Sequence, residues 1–167
     1  VISPFDPEMT NAADARMAPC LAHLFGTDET GMDIFSRCIW AIRIDVVIGV
    51  FGTLISLMIG IPFGLLAGYY EGVIGEVILR IADLIQAFPA FILAMALVSA
   101  LGNSTQNILM VVAFVNVPIY TRFVRGEVLA MKSRPFIEAG HTAGMSPTRI
   151  MFQELLPNSL RPALVQA

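Results

Sequence analysis

The amino-acid sequence predicts an all-α fold, that of a polytopic helical membrane protein. Hydrophobic residues make up 56% of the 167 positions and charged residues only 14%, whereas about a quarter of the residues in soluble domains are charged. The mean hydropathy is +0.75, and three apolar runs are long enough to cross a bilayer as helices. A water-soluble fold could not bury this much apolar surface.

The three apolar runs predict three complete spans. The first, 46–68, carries no charged residue, and at about 1.5 Å per residue it covers the hydrocarbon core of roughly 30 Å. The second covers 73–101 and the third 108–124. A further hydrophobic segment is expected to begin after Leu160.

The chain divides into an extracytoplasmic segment, 1–43, and a transmembrane domain, 44–167. The first segment is rich in turn-forming and acidic residues. Because the sequence starts at Val1 and stops inside a helical pattern, we expect a fragment that lacks a preceding span and is truncated at the C-terminus. Cys20 and Cys38 both lie in the first segment, where a disulfide is possible, but we expect two free thiols.

Basic residues predict the orientation of the spans. They cluster at the end of the third run and after it, at Arg122, Arg125, Lys132, Arg134 and Arg149. Cytoplasmic loops of membrane proteins carry an excess of Lys and Arg. We therefore expect 125–150 to be cytoplasmic and 1–43 to lie outside.

Small residues recur every four positions along the first span. They are Gly52, Ser56, Gly60, Gly64 and Gly68. This spacing places them on one ridge of a helix, where they permit the close backbone approach that packing in lipid requires. The ridge predicts a packed bundle of helices.

Charged residues and a proline interrupt the second run. Arg80 and Asp83 are three residues apart and share a helix face, so we expect them to form an ion pair within the membrane. A functional role in a pathway or gate is the alternative. Pro89 leaves the carbonyl of Ile85 without its helical donor, which is compatible with a hinge.

The segment after the third run predicts two helices joined by a tight turn. Ser133 is expected to cap a short helix that has Pro135 in its first turn, and Gly144 suits the left-handed residue that ends it. Ser146 and Pro147 are typical of an N-cap and first helical position. Outside the membrane, such a helix could rest on lipid headgroups or fill a groove of a partner.

The stretch EAGHTAGMSPTRIMFQELLPN, 138–158, resembles the EAA loop of binding-protein-dependent ABC transporter permeases. Positions that fit the family's spacing are Glu138, Ala139, Gly144, Leu156 and Pro157. Gly140 stands where the family pattern has Ala, and Glu154 where it has an aliphatic residue. Gly140 should weaken the first helix by about 1 kcal/mol relative to Ala.

Further stretches resemble the C subunits of dipeptide and oligopeptide permeases. They are HLFGTDETGMDIFSR (23–37), GIPFGLLAGYY (60–70), RIADLIQAFP (80–89) and YTRFVRGEVL (120–129). These blocks follow one another in the order found in that branch, which carries an arginine at the position of Met32. The resemblance implies the fold of a type I importer permease, with a cytoplasmic coupling helix.

Several classes of function are not supported by the sequence. A net charge of -3 gives no electrostatic footprint for nucleic acid. No phosphate-binding loop, metal-ligand cluster or activated nucleophile is evident, so we expect no catalysis, metal or cofactor in this chain. His23 and His141 are expected to be ordinary polar surface residues.

The resemblance implies a division of labour in the cell membrane of a prokaryote. A homologous second permease would complete the path, two cytoplasmic ATPase subunits would drive it through the loop, and an extracytoplasmic binding protein would deliver the solute. Glu138 would anchor the loop by its charge, and Gly144 would set the angle to the next helix. The sequence does not choose among dipeptides, oligopeptides, nickel chelates and similar solutes.

Two other functions remain open at this point. One is a secondary transporter or channel without an ATPase, which would use Arg80 and Asp83 as a coupling site. The other is a structural membrane protein whose amphipathic loop rests on the bilayer.

Overall fold

The computed structural model describes residues 3–166, which form helices joined by short turns. One isolated bridge, between Thr27 and Asp33, is the sole β-type pairing in this part of the chain. Seven α-helices follow in order: α1 (Ile34–Tyr69), α2 (Val73–Gln86), α3 (Ala90–Leu101), α4 (Thr105–Lys132), α5 (Pro135–Thr142), α6 (Pro147–Arg149) and α7 (Leu156–Gln166). A 3₁₀ turn covers Ala12–Asp14, and a π-helix covers Ile150–Leu155. The chain forms two compact units that divide after Gly49.

Within residues 3–166, two helices are long and apolar enough to cross a membrane alone, α1 and α4. Between them, α2 and α3 are bent by 82° at a short break. The break contains Pro89, which lacks an N–H donor and pushes Phe88 out of the helical region. Three spans are therefore present only if α2 and α3 count as one broken span.

The first long helix begins ahead of the boundary that the sequence suggested at residue 44. It starts at Ile34, because the carboxylate of Asp33 accepts the backbone N–H of Ser36 at 2.7 Å. An acceptor at this position satisfies one of the free donors of the first turn. The charged residues that follow Asp33 therefore stand on α1 rather than in a loop.

The hydrophobic core of the second unit joins α1, α4 and the segments after α4. Its fully buried members include Val124 and Val128 on α4, Ile137 on α5, and Ile150 and Leu155 on the π-helix. The short helices that follow the membrane segment are thus packed on the end of α4. This packing gives the loop after α4 a defined shape.

Candidate functional site

The small-residue ridge of α1 lies against α4. A Cβ atom added to any of three glycines would come 2.7 Å from a Cβ atom on α4, the pairs being Gly60 with Tyr120, Gly64 with Val124 and Gly68 with Val128. A Cβ atom at Gly52 would lie 3.3 Å from Val112. Ser56 is fully buried between the same two helices. Side chains larger than these would force the two helices apart.

Lys132 ties the end of α4 to the end of α1. Its ammonium donates to the carbonyl oxygen of Tyr69 at 2.9 Å and to the carboxylate of Glu71 at 2.8 Å. A cation at this position satisfies a carbonyl that the last turn of α1 leaves without a donor. The ammonium of Lys132 also lowers the pKa of Glu71.

The expected pair between Arg80 and Asp83 is wrong. Arg80 bonds to Glu76 at 3.3 Å, one turn earlier on α2, and Asp83 is paired with Arg122 on α4. Glu followed by a basic residue four positions later is a favourable arrangement on a helix, and the carboxylate of Asp83 is already bound by Arg122. The secondary-transport hypothesis therefore loses the ion pair on which it depended.

The short helix α5 begins one residue later than the sequence suggested. Ser133 ends α4 instead of capping α5, and the N-cap is Arg134, with an extended backbone and no side-chain capping bond. The reason is Pro135, which disfavours the helical conformation in the residue before it. Pro135 itself occupies the first turn, as expected.

A left-handed residue closes α5 at Gly144, whose φ is +76°. The N–H of Gly144 donates to the carbonyl of His141, and the N–H of Met145 donates to that of Gly140, both at 3.0 Å. These two bonds form a Schellman motif. The thioether of Met145, near the flexible end of its side chain, lies 3.2 Å from where a Cβ of Gly140 would stand.

The next helical turn starts where the sequence predicted. The hydroxyl of Ser146 accepts the N–H of Arg149 at 3.4 Å, and Pro147 takes the first position of α6.

A π-helix follows α6, and in it the N–H of Leu156 donates to the carbonyl of Met151. Pro157 comes next and can donate no backbone hydrogen bond. The hydroxyl of Ser159 satisfies the carbonyl of Leu155 at 2.7 Å.

The candidate loop residues fall on two sides of α5 and its continuation. Gly140 is buried, as is Ile137 beside it, and Leu156 packs against the core. The remaining candidates are exposed, namely Glu138, Ala139, Gly144 and Pro157. Because its inner side is fixed to the core, α5 presents a rigid outer surface that carries the carboxylate of Glu138.

The first unit contains a turn organised by Asp28. One carboxylate oxygen accepts the hydroxyl and N–H of Thr30, at 2.7 and 2.8 Å, and the N–H of Met32 at 3.0 Å. The other oxygen binds Arg37. The hydrogen bond from the Thr30 hydroxyl, followed by that from Met32, holds the pKa of Asp28 down at about 2. Cys20 and Cys38 are free and exposed in this unit.

His23 is not the ordinary surface residue that the sequence suggested. Its Nδ1 lies 3.0 Å from the carboxylate of Asp33, which is 3% exposed, and its ring stacks on Phe5 with centroids 4.8 Å apart. The N–H of Phe5 donates to the hydroxyl of Ser36 at 3.1 Å. Because these contacts join residues far apart in sequence, no local pattern could have indicated them.

Comparison with known proteins identifies the family. Residues 60–167 match the family described as "Binding-protein-dependent transport system inner membrane component". The chain is 44% identical to the dipeptide transport system permease protein DppC of Alkalihalophilus pseudofirmus, over 95% of the chain and 52% of that protein. It is 38% identical to the glutathione transport system permease protein GsiD of Pectobacterium atrosepticum, over 98% and 55%.

A third relative is the dipeptide permease protein DppC of Haemophilus influenzae, which is 37% identical over 99% of the chain and 58% of that protein. The chain spans about half the length of these curated relatives. Its apolar helices are those of a membrane protein. The chain belongs to the family of inner membrane components of binding-protein-dependent transport systems.

Proposed function

We propose that this chain is the core of a transmembrane permease subunit in an ATP-driven importer of peptides or similar small solutes. Relatives named for dipeptide and glutathione transport support this class of solute. The permease would work in the inner membrane of a prokaryote together with a homologous second permease. An extracytoplasmic binding protein would deliver the solute, and two cytoplasmic ATPase subunits would supply the energy.

In this proposal α5 is the coupling helix, which docks into an ATPase subunit. The observation that carries it is the two-sided structure of α5, with Ile137 1% exposed on the inner side and Glu138 exposed on the outer side. A helix fixed to the core in this way can transmit a displacement to α4, whereas a mobile loop would absorb it. The Schellman closure at Gly144 would hold α5 at a constant angle to α6.

The membrane orientation follows from the same proposal. The end of α4 near Lys132 and the whole of α5 would face the cytoplasm, which agrees with the basic residues around them. The segment 1–43 would then lie outside the membrane, where a binding protein could reach it. Labelling of the native Cys20 in intact cells by an impermeant thiol reagent tests this placement.

Assembly of the complete transporter with Gly144→Val tests the coupling role. Valine is strained at a φ of +76°, so the angle after α5 should change. We expect loss of ATPase co-purification and of ATP-dependent uptake of dialanine in proteoliposomes. Gly126→Val is the matched control, because a Cβ at Gly126 would meet no atom within 4 Å. Normal association and uptake with Gly144→Val would contradict the proposal.

A second variant tests the charge of the outer surface. Glu138→Gln keeps the size of the side chain and its place in the first turn of α5, but it removes the negative charge. We expect weaker association with the ATPase and a smaller dependence of that association on salt, because one screened charge is gone. Uptake that continues without the ATPase subunits, and stops when the proton gradient is collapsed, would instead favour a secondary transporter.

A further inference from the structure

The ion pair between Asp83 and Arg122 joins α2 to α4, two helices of the apolar segment. Arg122 precedes the end of α4 at Lys132 by ten residues, which is about 15 Å of helix. The apolar run 108–124 ends two residues after Arg122, which is about 3 Å of helix. The pair therefore lies at the margin of the hydrocarbon region, near the end of the apolar part of α4.

Both members of this pair are accessible on the surface of the chain. The side chain of Arg122 is 43% exposed and that of Asp83 is 52% exposed. Charged groups in membrane segments almost always face a water-filled cavity or the interior of the bundle rather than lipid. The surface of α2 and α4 around this pair is thus directed away from lipid.

A groove with polar side chains adjoins the pair. It has a volume of about 370 Å³ and runs beside the bend between α2 and α3. Gln86 follows Asp83 by one turn of α2, and Ile119 precedes Arg122 by one turn of α4, so both helices lead from the pair into the groove. The amides of Gln86 and Asn116 supply hydrogen-bonding groups, and apolar walls surround them.

We propose that this groove and the adjoining pair form a binding site for a zwitterionic solute on the translocation path. Asp83 would receive an ammonium group, Arg122 would receive a carboxylate, and the apolar walls would contact the side chains of a small peptide. Exchange of the protein ion pair for these contacts leaves no charge unpaired. This inference rests on the proposed function and names the residues that would contact the solute.

Thiol accessibility tests the groove without requiring transport. In the complete transporter, with Cys20 and Cys38 replaced by serine, Gln86→Cys should react with a charged methanethiosulfonate at least tenfold faster than Leu84→Cys. Leu84 is the control because it is 69% exposed on the same helix and does not line the groove. Addition of dialanine should slow the reaction at Gln86→Cys. Equal rates for the two variants would overturn the proposal.

Transport kinetics test the two charges. Asp83→Asn and Arg122→Gln should each raise the KM for dialanine uptake about tenfold, while the loaded binding protein still stimulates ATP hydrolysis. The exchanged variant, Asp83→Arg with Arg122→Asp, separates a structural role of the ion pair from a role in solute binding. It would restore an ion pair between α2 and α4, but the positive and negative groups that face the solute would have changed places. Normal uptake by the exchanged variant would overturn the proposal.

Two controls complete this experiment. Glu76→Gln removes the partner of Arg80 on the same helix and should leave the KM unchanged, and N-acetyl-dialanine amide, which has no charged ends, should not compete with dialanine. A tenfold rise in KM with Glu76→Gln, or competition by the blocked peptide, would count against the proposal. Absence of ATP-dependent uptake by the unaltered complex would overturn the proposed function. The reactivity of Gln86→Cys would still show whether the groove is open to water and to charged reagents.

Discussion

The hydroxyl of Ser56 lies 2.9 Å from the backbone carbonyl oxygen of Ala113, across the interface between α1 and α4. The same hydroxyl lies 2.7 Å from the carbonyl of Gly52 in its own helix. It can therefore donate to either helix without leaving a buried hydroxyl unsatisfied. So close an approach is possible because the neighbouring ridge positions are glycines.

The first prediction concerns this close approach. Gly64→Ala would place its Cβ 2.7 Å from Val124 Cβ and 2.8 Å from the carbonyl of Thr121, so the helices must separate. We expect a loss of about 1–3 kcal/mol in the free energy of unfolding, measured by denaturant titration of the purified permease in detergent. Gly126→Ala is the control and should not destabilise, because the site is open. Equal stabilities for the two variants would contradict the packing role of the ridge.

Features that depend on local spacing were predictable from the sequence. The ridge of small residues, the left-handed Gly144 and the N-cap at Ser146 each follow from a short-range rule about backbone or side-chain geometry. The start of α5 lies one residue later than the capping preference of Ser133 predicts, because Pro135 disfavours a helical conformation at Arg134. The helical fold class itself follows from apolar runs of bilayer length.

Features that depend on contacts between distant segments were not predictable. Spacing along one helix predicts a pair between Asp83 and Arg80, whereas the structure pairs Asp83 with Arg122. The useful signal was the presence of opposite charges in two different apolar runs, since charges at membrane depth pair with one another. The contact of His23 with Asp33 and the π-helix after α6 had no comparable signal in the sequence.

The second prediction compares two glycines of the loop. Gly144→Ala should destabilise by about 1 kcal/mol, because alanine is disfavoured at a φ of +76°. Gly140→Ala should stabilise by up to about 1 kcal/mol through its helix propensity, since the only tight contact, at 3.2 Å, is with the flexible end of Met145. Thermal unfolding in detergent measures both. Destabilisation by Gly140→Ala would mean that Met145 cannot move.

The third prediction concerns the link between α1 and α4. Lys132→Gln should lower stability by about 1 kcal/mol, because it removes the cation that serves the carbonyl of Tyr69. Glu71→Gln should have a smaller effect, since the side chain of Glu71 is 63% exposed and the carbonyl contact of Lys132 remains. A double-mutant cycle isolates the coupling between the two side chains. A larger effect of Glu71→Gln would contradict this order.

The stability that the contact between Glu71 and Lys132 contributes should fall in acid. The pKa of Glu71 is lowered from 4.5 by Lys132, so the stabilisation is fully present above pH 4.5 and is lost as the pH falls through the lowered pKa. The stability difference between the wild type and Glu71→Gln should therefore be constant from pH 7 to 5 and shrink in more acidic solution. A difference that grew as the pH fell would exclude an ionic contact.

The last prediction separates the two roles of Asp33 in the first unit. Its carboxylate caps α1 through the N–H of Ser36, at 2.7 Å, and contacts His23 at 3.0 Å. Burial opposes its ionisation, but the hydrogen bonds from Ser36 and His23 outweigh this effect, and the pKa of Asp33 is lowered from 3.8. Stabilisation by the carboxylate is present above pH 3.8 and is lost as the pH falls through the lowered pKa.

Two substitutions divide these roles. Asp33→Asn retains a good N-cap acceptor, whereas Asp33→Ala removes both contacts and should cost about 1–2 kcal/mol. Amide exchange at Ser36 is the local measurement: we expect it to accelerate strongly with Asp33→Ala and only slightly with Asp33→Asn. His23→Ala is the complementary variant, which should leave the Ser36 amide protected while it frees Phe5. Equal acceleration by Asp33→Asn and Asp33→Ala would show that the charge of Asp33, rather than its position as a cap, holds the start of α1.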